Sequence, residues 1–379
     1  MAAEDSSAAV IYGWDLGGAN IKAARLEHGV VRDVAQWACP LWQGLGHLEE
    51  TLARARQRWP DCGPGADVAH AVTMTGEMTD LFEHRQAGVA ALAQVMSDSF
   101  GEHVHFYAGD AGWRRQAQVG SDWALIASAN WLATASLAAM RCDHAVLVDI
   151  GTTTTDVIPL VRGRVAARGR DDAGRLASGE LVYQGVVRTP LCALAPRIEL
   201  GGLRVNVMNE WFATTADVYR LTGELPEIHD AHPSADGRAK TPEATRQRLA
   251  RMIGRDAHEA PPAAWLALAR QWRMAQIAEV ENNVLRVLHA AGLPADAPLV
   301  GAGCGHFLVR ELAGRLGRPY CAFEDLAGIA GPVSSWARVC APSVAVAVLL
   351  ERALDGVGAN GGVLQCARYR RVIASHASL

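Results

Sequence analysis

Lysine is almost absent from this chain: Lys22 and Lys240 are the only two among 36 basic residues, so each stands out against an arginine background. Charge of one sign is not in excess either, the formal net charge being -4, which argues against a nucleic-acid or other polyanionic partner. The eight cysteines (39, 62, 142, 192, 304, 321, 340 and 366) form no CxxC pair. Neither a zinc ribbon nor a disulfide framework is indicated, and a reducing cytoplasm is the expected compartment. Residues 1–9 carry Glu4 and Asp5 and lack the basic and apolar regions of a signal peptide, so they read as a short flexible lead. Heptad repeats and low-complexity tracts are missing. One uncharged stretch, residues 123–140, approaches bilayer-spanning length, but Ser128, Asn130, Thr134 and Ser136 leave it weakly apolar. A buried helix is expected there, and no membrane partner.

What is present is 379 residues, half of them hydrophobic, in which strand-like and helix-like stretches alternate. This is an α/β pattern with room for two domains. An internal echo organises it. An apolar run ending in Asp15-Leu-Gly-Gly-Ala-Asn20 is followed by a second run to Leu26 and a turn at Gly29; residues 145–148 likewise lead into Asp149-Ile-Gly-Thr-Thr-Thr154, a run to Leu160 and a turn at Gly163. Adding 134 to the residue number carries Asp15 onto Asp149, Gly17 onto Gly151, Leu26 onto Leu160 and Gly29 onto Gly163 without a gap. A duplicated unit of strand, acidic turn, strand, hairpin and strand is expected.

An aspartate ending a buried strand, with glycine soon after, lets the chain turn sharply and aims successive backbone N–H groups into one concavity. Gly17, Gly18 and Asn20 would line it in the first copy, and Gly151, Thr152, Thr153 and Thr154 in the second. Such a lining suits phosphate oxygens. Two facing turns would bring Asp15 and Asp149 close, and carboxylates around a phosphate commonly hold Mg2+, so both are candidate metal ligands. Strand alternation puts Asn20 and Lys22 on one side, whereas the second copy carries Asp156 where the first has Lys22. Either turn alone is equally an ordinary β-turn; recurrence at a constant offset favours a site.

A third glycine cluster, Gly301, Gly303 and Gly305, follows a short apolar run and opens an expected helix over residues 307–316. It does not match GxGxxG, and the chain has no Walker A sequence; the cluster is either a structural strand-to-helix turn or a place for a nucleotide or other planar group. Asn130, polar inside the uncharged stretch, either anchors a buried network or reaches a ligand. Between residues 225 and 262 the composition turns to Pro, Asp, His and Gly. That segment reads as a lid-like insertion whose Lys240 either closes over a phosphate or is plain surface. The arginines at 162, 164, 168, 170 and 175 read as a solvated hairpin.

Several longer segments carry a resemblance: Gly13-Trp-Asp-Leu-Gly-Gly-Ala-Asn-Ile-Lys22, Val72-Thr-Met-Thr-Gly-Glu-Met-Thr-Asp-Leu-Phe82, Asp149-Ile-Gly-Thr-Thr-Thr-Thr-Asp156 and Ser178-Gly-Glu-Leu-Val-Tyr-Gln-Gly-Val-Val-Arg-Thr-Pro190, with residues 127–131, 216–223 and 235–240. Together with the ordered set of turns, these resemble the actin, hexokinase and Hsp70-type ATPase superfamily. More specifically they resemble its hydantoinase and oxoprolinase branch, including the condensing enzymes of methanofuran-type cofactor biosynthesis, often described as tetrahydromethanopterin-linked C1-transfer proteins. The resemblance implies two RNase H-like α/β domains clasping a phosphorylated ligand and Mg2+ in a cleft. Residues 1–140 plus 332–379, with an apolar helix over 341–354, would form the first domain, and residues 141–331 the second.

The same resemblance implies a transferase that joins an aminomethylfuran-methyl diphosphate to the phenol oxygen of a tyramine-type acceptor, forming an aryl ether and releasing diphosphate. The two turns, Mg2+ and Lys22 would neutralise the leaving group. A phenol of pKa ~10 is mostly protonated at neutral pH, so a base would help. Glu77, Asp110 and Glu180 are candidates, though Glu77 is equally a helix-start carboxylate and Asp110 a turn aspartate; Glu180 rests on the family segment. An ATP-dependent small-molecule kinase or hydantoinase-like enzyme would share the clasp and stays open, as does a non-catalytic sensor. Expected partners are small molecules, the furan diphosphate and a phenolic amine. The acceptor's identity and whether the chain forms a homo-oligomer are left open.

Overall fold

The computed structural model describes residues 10–63 and 68–356; the lead over residues 1–9 and Cys366 lie outside them. The chain divides into two compact units, the first made of Met1–His144, Leu160–Val165 and Phe323–Leu379, the second of Ala145–Pro159 and Ala166–Ala322.

The first unit is built on one sheet. Its strands are β1 (Val10–Leu16), β2 (Asn20–Glu27), β3 (Val30–Ala38), β4 (Val68–Met74), β5 (Val104–Tyr107) and β6 (Trp113–Arg114), in the order β3-β2-β1-β4-β5-β6. β1 to β3 form an antiparallel meander, while β4 and β5 run parallel to β1. Every residue of β4 is buried, as a central strand covered on both faces requires. Alternation splits β1 between those faces. Trp14 and Leu16 point to a core shared with Leu48, Leu52, Leu92 and Phe100 from the helices Gly46–Arg58 and Arg85–Phe100. Gly13 lies under the apolar helix Ala341–Leu354: a Cβ at Gly13 would run into the Ser343 carbonyl and Ala347. Only glycine lets that helix lie directly on the strand.

The second unit repeats the plan with β7 (His144–Ile150), β8 (Thr155–Val161), β9 (Arg164–Val165), β10 (Leu181–Val182), β13 (Leu299–Ala302) and β14 (Tyr320–Ala322), while β11 (Arg197–Leu200) and β12 (Leu203–Asn206) form a separate ribbon. The sheet order is β10-β8-β7-β13-β14, with β9 beside β8. The echo holds to the residue. β7 is β1 displaced by 134 at both ends. The hairpin tips are left-handed at the same places, His28 (φ 48) and Gly29 (φ 75) against Arg162 (φ 53) and Gly163 (φ 68), a pattern that matches the strand twist.

Three sequence expectations need correction. Residues 123–140 are not one helix but parts of two, Gln116–Ile126 and Asn130–Ala139, broken where Ser128 turns to φ 51. No helix among the described residues is long and apolar enough to cross a membrane. Arg175 is not on a solvated hairpin: it is 2% exposed and pairs with Asp156, with which it makes a short contact, and with Asp172 at 3.6 Å. Finally, the polar segment 225–262 contributes packed structure. Its helix Pro242–Arg251, capped by the Thr241 side chain, places Leu249 and Ala250 in a core with Val218, Trp265, Leu268 and Trp272. A buried ion-pair network replaces the apolar residues the composition lacks: Asp217 takes Arg220 and Arg248, each at 2.7 Å, and Asp236 takes Arg248 at 3.2 Å.

Candidate functional site

In the first unit, the turn after β1, the turn after β4 and the turn after β5 all lie at the carboxyl edge of parallel strands, where open α/β sheets bind ligands. The first is closed by a hydrogen bond from the Gly17 N–H to the Asn20 carbonyl (3.0 Å), and the Thr75 N–H donates to the Leu16 carbonyl (3.0 Å), tying the second turn to it. Register pairs Asp15 with Lys22 across the hairpin, and their side chains meet at 3.8 Å. Asp15 is 3% exposed. On its other side the Asn130 amide donates to Asp15 Oδ1 at 3.5 Å. The sequence left Asn130 between a buried network and a ligand; the structure sets it beside Asp15 at the start of the helix Asn130–Ala139.

Glu77 and Glu180 take tasks other than the exposed base considered for them. Glu77 is 1% exposed and accepts from the Ser128 hydroxyl (2.8 Å), with Arg85 at 3.5 Å. Glu180, also 1% exposed, accepts from the Arg168 N–H (2.7 Å), the Gly169 N–H (2.9 Å) and the Ser178 hydroxyl (2.8 Å). It closes the loop before the helix Asp172–Ser178. A buried carboxylate engaged by several donors is a fastening, since those donors offset its lost hydration. Asp110 alone of the three acids is exposed, on the tight turn between β5 and β6.

In the second unit the Gly151 N–H closes onto the Thr154 carbonyl at 2.9 Å, the counterpart of Gly17 and Asn20. Thr152, Thr153 and Thr154 are half-exposed around it, as is Asp149. The late glycine cluster joins this turn. The Gly305 N–H donates to the Ile150 carbonyl (2.8 Å), as Thr75 does to Leu16, so residues 301–305 occupy the place that residues 74–76 hold in the first unit. Gly303 is left-handed (φ 79), and a Cβ there would abut the Ile150 carbonyl and the Asp149 carboxylate. Among the described residues no three His, Cys, Asp or Glu side chains are grouped to hold a metal ion. A divalent cation beside Asp149 would therefore complete its shell with ligand oxygens and water, the usual habit of Mg2+ on phosphates.

Two residues that the sequence reading passed over lie near this turn or bear on each other. The Arg188 N–H donates to the Thr152 carbonyl at 2.9 Å, and burial lowers the affinity of its guanidinium for its proton. His232 is pushed down to about 4, chiefly by burial and further by the cations Arg188 and Lys240. The Arg-Thr-Pro ending the segment 178–190 was the available signal for Arg188; His232 had none. Lys240 itself is tied to the Asp230 carbonyl by a short contact and to its carboxylate at 3.1 Å, an internal engagement that composition did not foreshadow.

The comparisons with known proteins agree with one another. The chain is 30% identical over 248 residues, 65% of its length and 72% of the relative's, to the (4-{4-[2-(gamma-L-glutamylamino)ethyl]phenoxymethyl}furan-2-yl)methanamine synthase of Methanocaldococcus jannaschii. It is 27% identical over 212 residues, 56% of this chain and 93% of the relative, to the synthase of the same name from Methanococcus vannielii. Among solved structures, nucleotide-free acetone carboxylase overlaps 89% of this chain and 70% of its own with a TM-score of 0.50 at 10% identity, a likeness of fold alone. The hydantoinase/oxoprolinase family profile matches residues 69–352, a span that takes in the second acidic turn, the late glycine cluster and the helix lying on β1, and the chain belongs to that family.

Proposed function

We propose that the protein is a cytoplasmic, Mg2+-assisted transferase that joins an aminomethylfuran-methyl diphosphate to the phenol oxygen of a tyramine-type acceptor. The product is an aryl ether of methanofuran-type cofactor biosynthesis, with diphosphate released. The observation that supports this best is the coincidence of two equivalent acidic turns with 30% identity to a synthase whose named product is a phenoxymethyl-furan methanamine.

In this reaction the bond from the furanylmethyl carbon to the diphosphate oxygen breaks, the bond from that carbon to the phenol oxygen forms, and the phenol proton leaves. The furan ring spreads positive charge growing on the methylene, so the chief demand on the protein is to neutralise the leaving group. Lys22 and the donors around Gly17 and Asn20, with those around residues 151–154, suit that task. Asp149 would hold Mg2+ together with the diphosphate, where the ion would supply charge neutralisation. Asp15, buried and flanked by the Lys22 cation, suits direct metal ligation less well and better suits orienting Lys22 and Asn130. Asp110, being exposed, is the acid of the three best suited to receive the phenol proton.

The test is mass spectrometry of products from the purified protein, the furan diphosphate, Mg2+ and a panel of phenolic amines, without nucleotide. One diphosphate per ether is expected, and none after chelation of Mg2+. Strict dependence on ATP, or phosphorylation of a small molecule with the furan diphosphate ignored, would put a kinase or hydantoinase-like reading in its place.

A further inference from the structure

The break between the helices Gln116–Ile126 and Asn130–Ala139 is held by an unusual residue. Ser128 sits at φ 51, where a side chain costs ~1–2 kcal/mol and glycine costs nothing. Its hydroxyl does what glycine cannot: buried with the residue at 5% exposure, it donates to Glu77 Oε1 at 2.8 Å and accepts from Arg85 at 3.0 Å. Glu77 comes from the turn after β4, and Arg85 is the first residue of the helix Arg85–Phe100. Two residues beyond Ser128, Asn130 has its carbonyl oxygen fixed by the Trp131 N–H at 2.7 Å, which directs its amide N–H toward Asp15.

The contacts at Asp15 are long ones, 3.5 Å from Asn130 and 3.8 Å from Lys22, so a few tenths of an ångström decide whether they exist. The contacts that hold the Asn130 end are short and buried. We propose that Glu77, Ser128 and Arg85 form a clamp that positions Asn130 against Asp15, and that Ser128 is a positioning residue acting through Asn130. Resting on the proposed function, the clamp governs how the first turn receives the substrate diphosphate. It explains why Glu77, fully buried, belongs to the site without touching substrate.

The experiment compares Ser128→Gly, Asn130→Ala and the double variant in the full chain. Ser128→Gly relieves the backbone while deleting both hydroxyl contacts, so its thermal midpoint should stay near that of the parent. Its kcat/KM for the furan diphosphate should nevertheless fall ~10-fold, and the double variant should be no worse than Asn130→Ala alone, as residues acting in series require. Losses that multiply, or full activity in Ser128→Gly, overturn the clamp. A second readout needs no turnover: hydrogen exchange over residues 128–134 should quicken in Ser128→Gly and in Glu77→Gln, with exchange in β1 and β4 unchanged. Unchanged exchange there overturns the clamp as well. If the parent protein forms no ether, the transferase reading fails, and the exchange arm alone decides the clamp.

Discussion

At the scale of the residue, the charges at the two turns make distinct demands. Asp149 faces outward among threonines, and Asp15 lies buried between Lys22 and Asn130, so removing either carboxylate's charge should act for different reasons. Asp149→Asn should cut kcat by at least ~100-fold, the scale for losing stabilisation of a developing anion, and should raise the Mg2+ concentration needed for half activity. Asp15→Asn should cut kcat comparably and leave the Mg2+ requirement unmoved. Steady-state kinetics across a Mg2+ titration would show it, and near-parent turnover in both variants would remove the site. Lys22→Ala should raise KM for the furan diphosphate and spare KM for the phenol; equal effects on both would place Lys22 elsewhere. The sequence made Lys22 conspicuous by scarcity, yet its partner Asp15 followed only from the pairing register.

At the scale of the element, the turns show how local sequence and long-range contact divide the work. Gly303 is left-handed and presses on the Ile150 carbonyl and the Asp149 carboxylate, so Gly303→Ala should cost more than ~1 kcal/mol of stability and also displace Asp149. Denaturant unfolding and kcat should fall together, whereas loss of stability with kcat intact would free the late glycine cluster from the site. Glu180 invites the opposite outcome. With two N–H donors and a hydroxyl on its carboxylate, Glu180→Gln should lower stability by ~1–3 kcal/mol while the folded fraction keeps its kcat. A collapse of kcat at unchanged stability would restore Glu180 as the base.

At the scale of the whole molecule, two buried histidines set a pH window. His70 is fully buried, accepts the Trp14 indole N–H at 3.1 Å and stacks on Phe100 with ring centroids 4.0 Å apart. Burial foremost, helped by neighbouring His103 and His105, pushes its pKa down to about 3, and that of His232 goes down to about 4. Both folded values lie below the unfolded ~6.5, so the stability they contribute is present in full above pH ~6.5 and drains away as pH falls toward 4 and 3. At pH 4.5 the loss is ~3 kcal/mol for each histidine still neutral in the fold. Urea midpoints should therefore drop steeply between pH 6.5 and 4.5, and His70→Phe, though weaker at pH 7, should show a flatter slope. An unaltered slope would mean that His70 takes up its proton within the fold.

How much of this was legible in the chain follows from how far each feature reaches. The strand cores, the hairpin tips at Gly29 and Gly163, the two acidic turns and the helix Ala341–Leu354 could be read directly. Each is set by apolar periodicity or by the backbone freedom of residues adjacent in sequence. The fates of the polar side chains were not legible. Glu77 meets Ser128 from 51 residues away and Asp15 meets Asn130 across 115, and the replacement of an expected single helix by two rests on that first contact. Arg175, by sequence one arginine of a basic run, became a buried partner of Asp156 because β8 and the helix Asp172–Ser178 pack together. Sequence by itself determined the duplicated sheet and where its turns fall, since those depend on neighbours along the chain. Only the tertiary structure decided which carboxylates are fastenings and which face a ligand, because burial and the choice of hydrogen-bond partner exist only once distant segments have met.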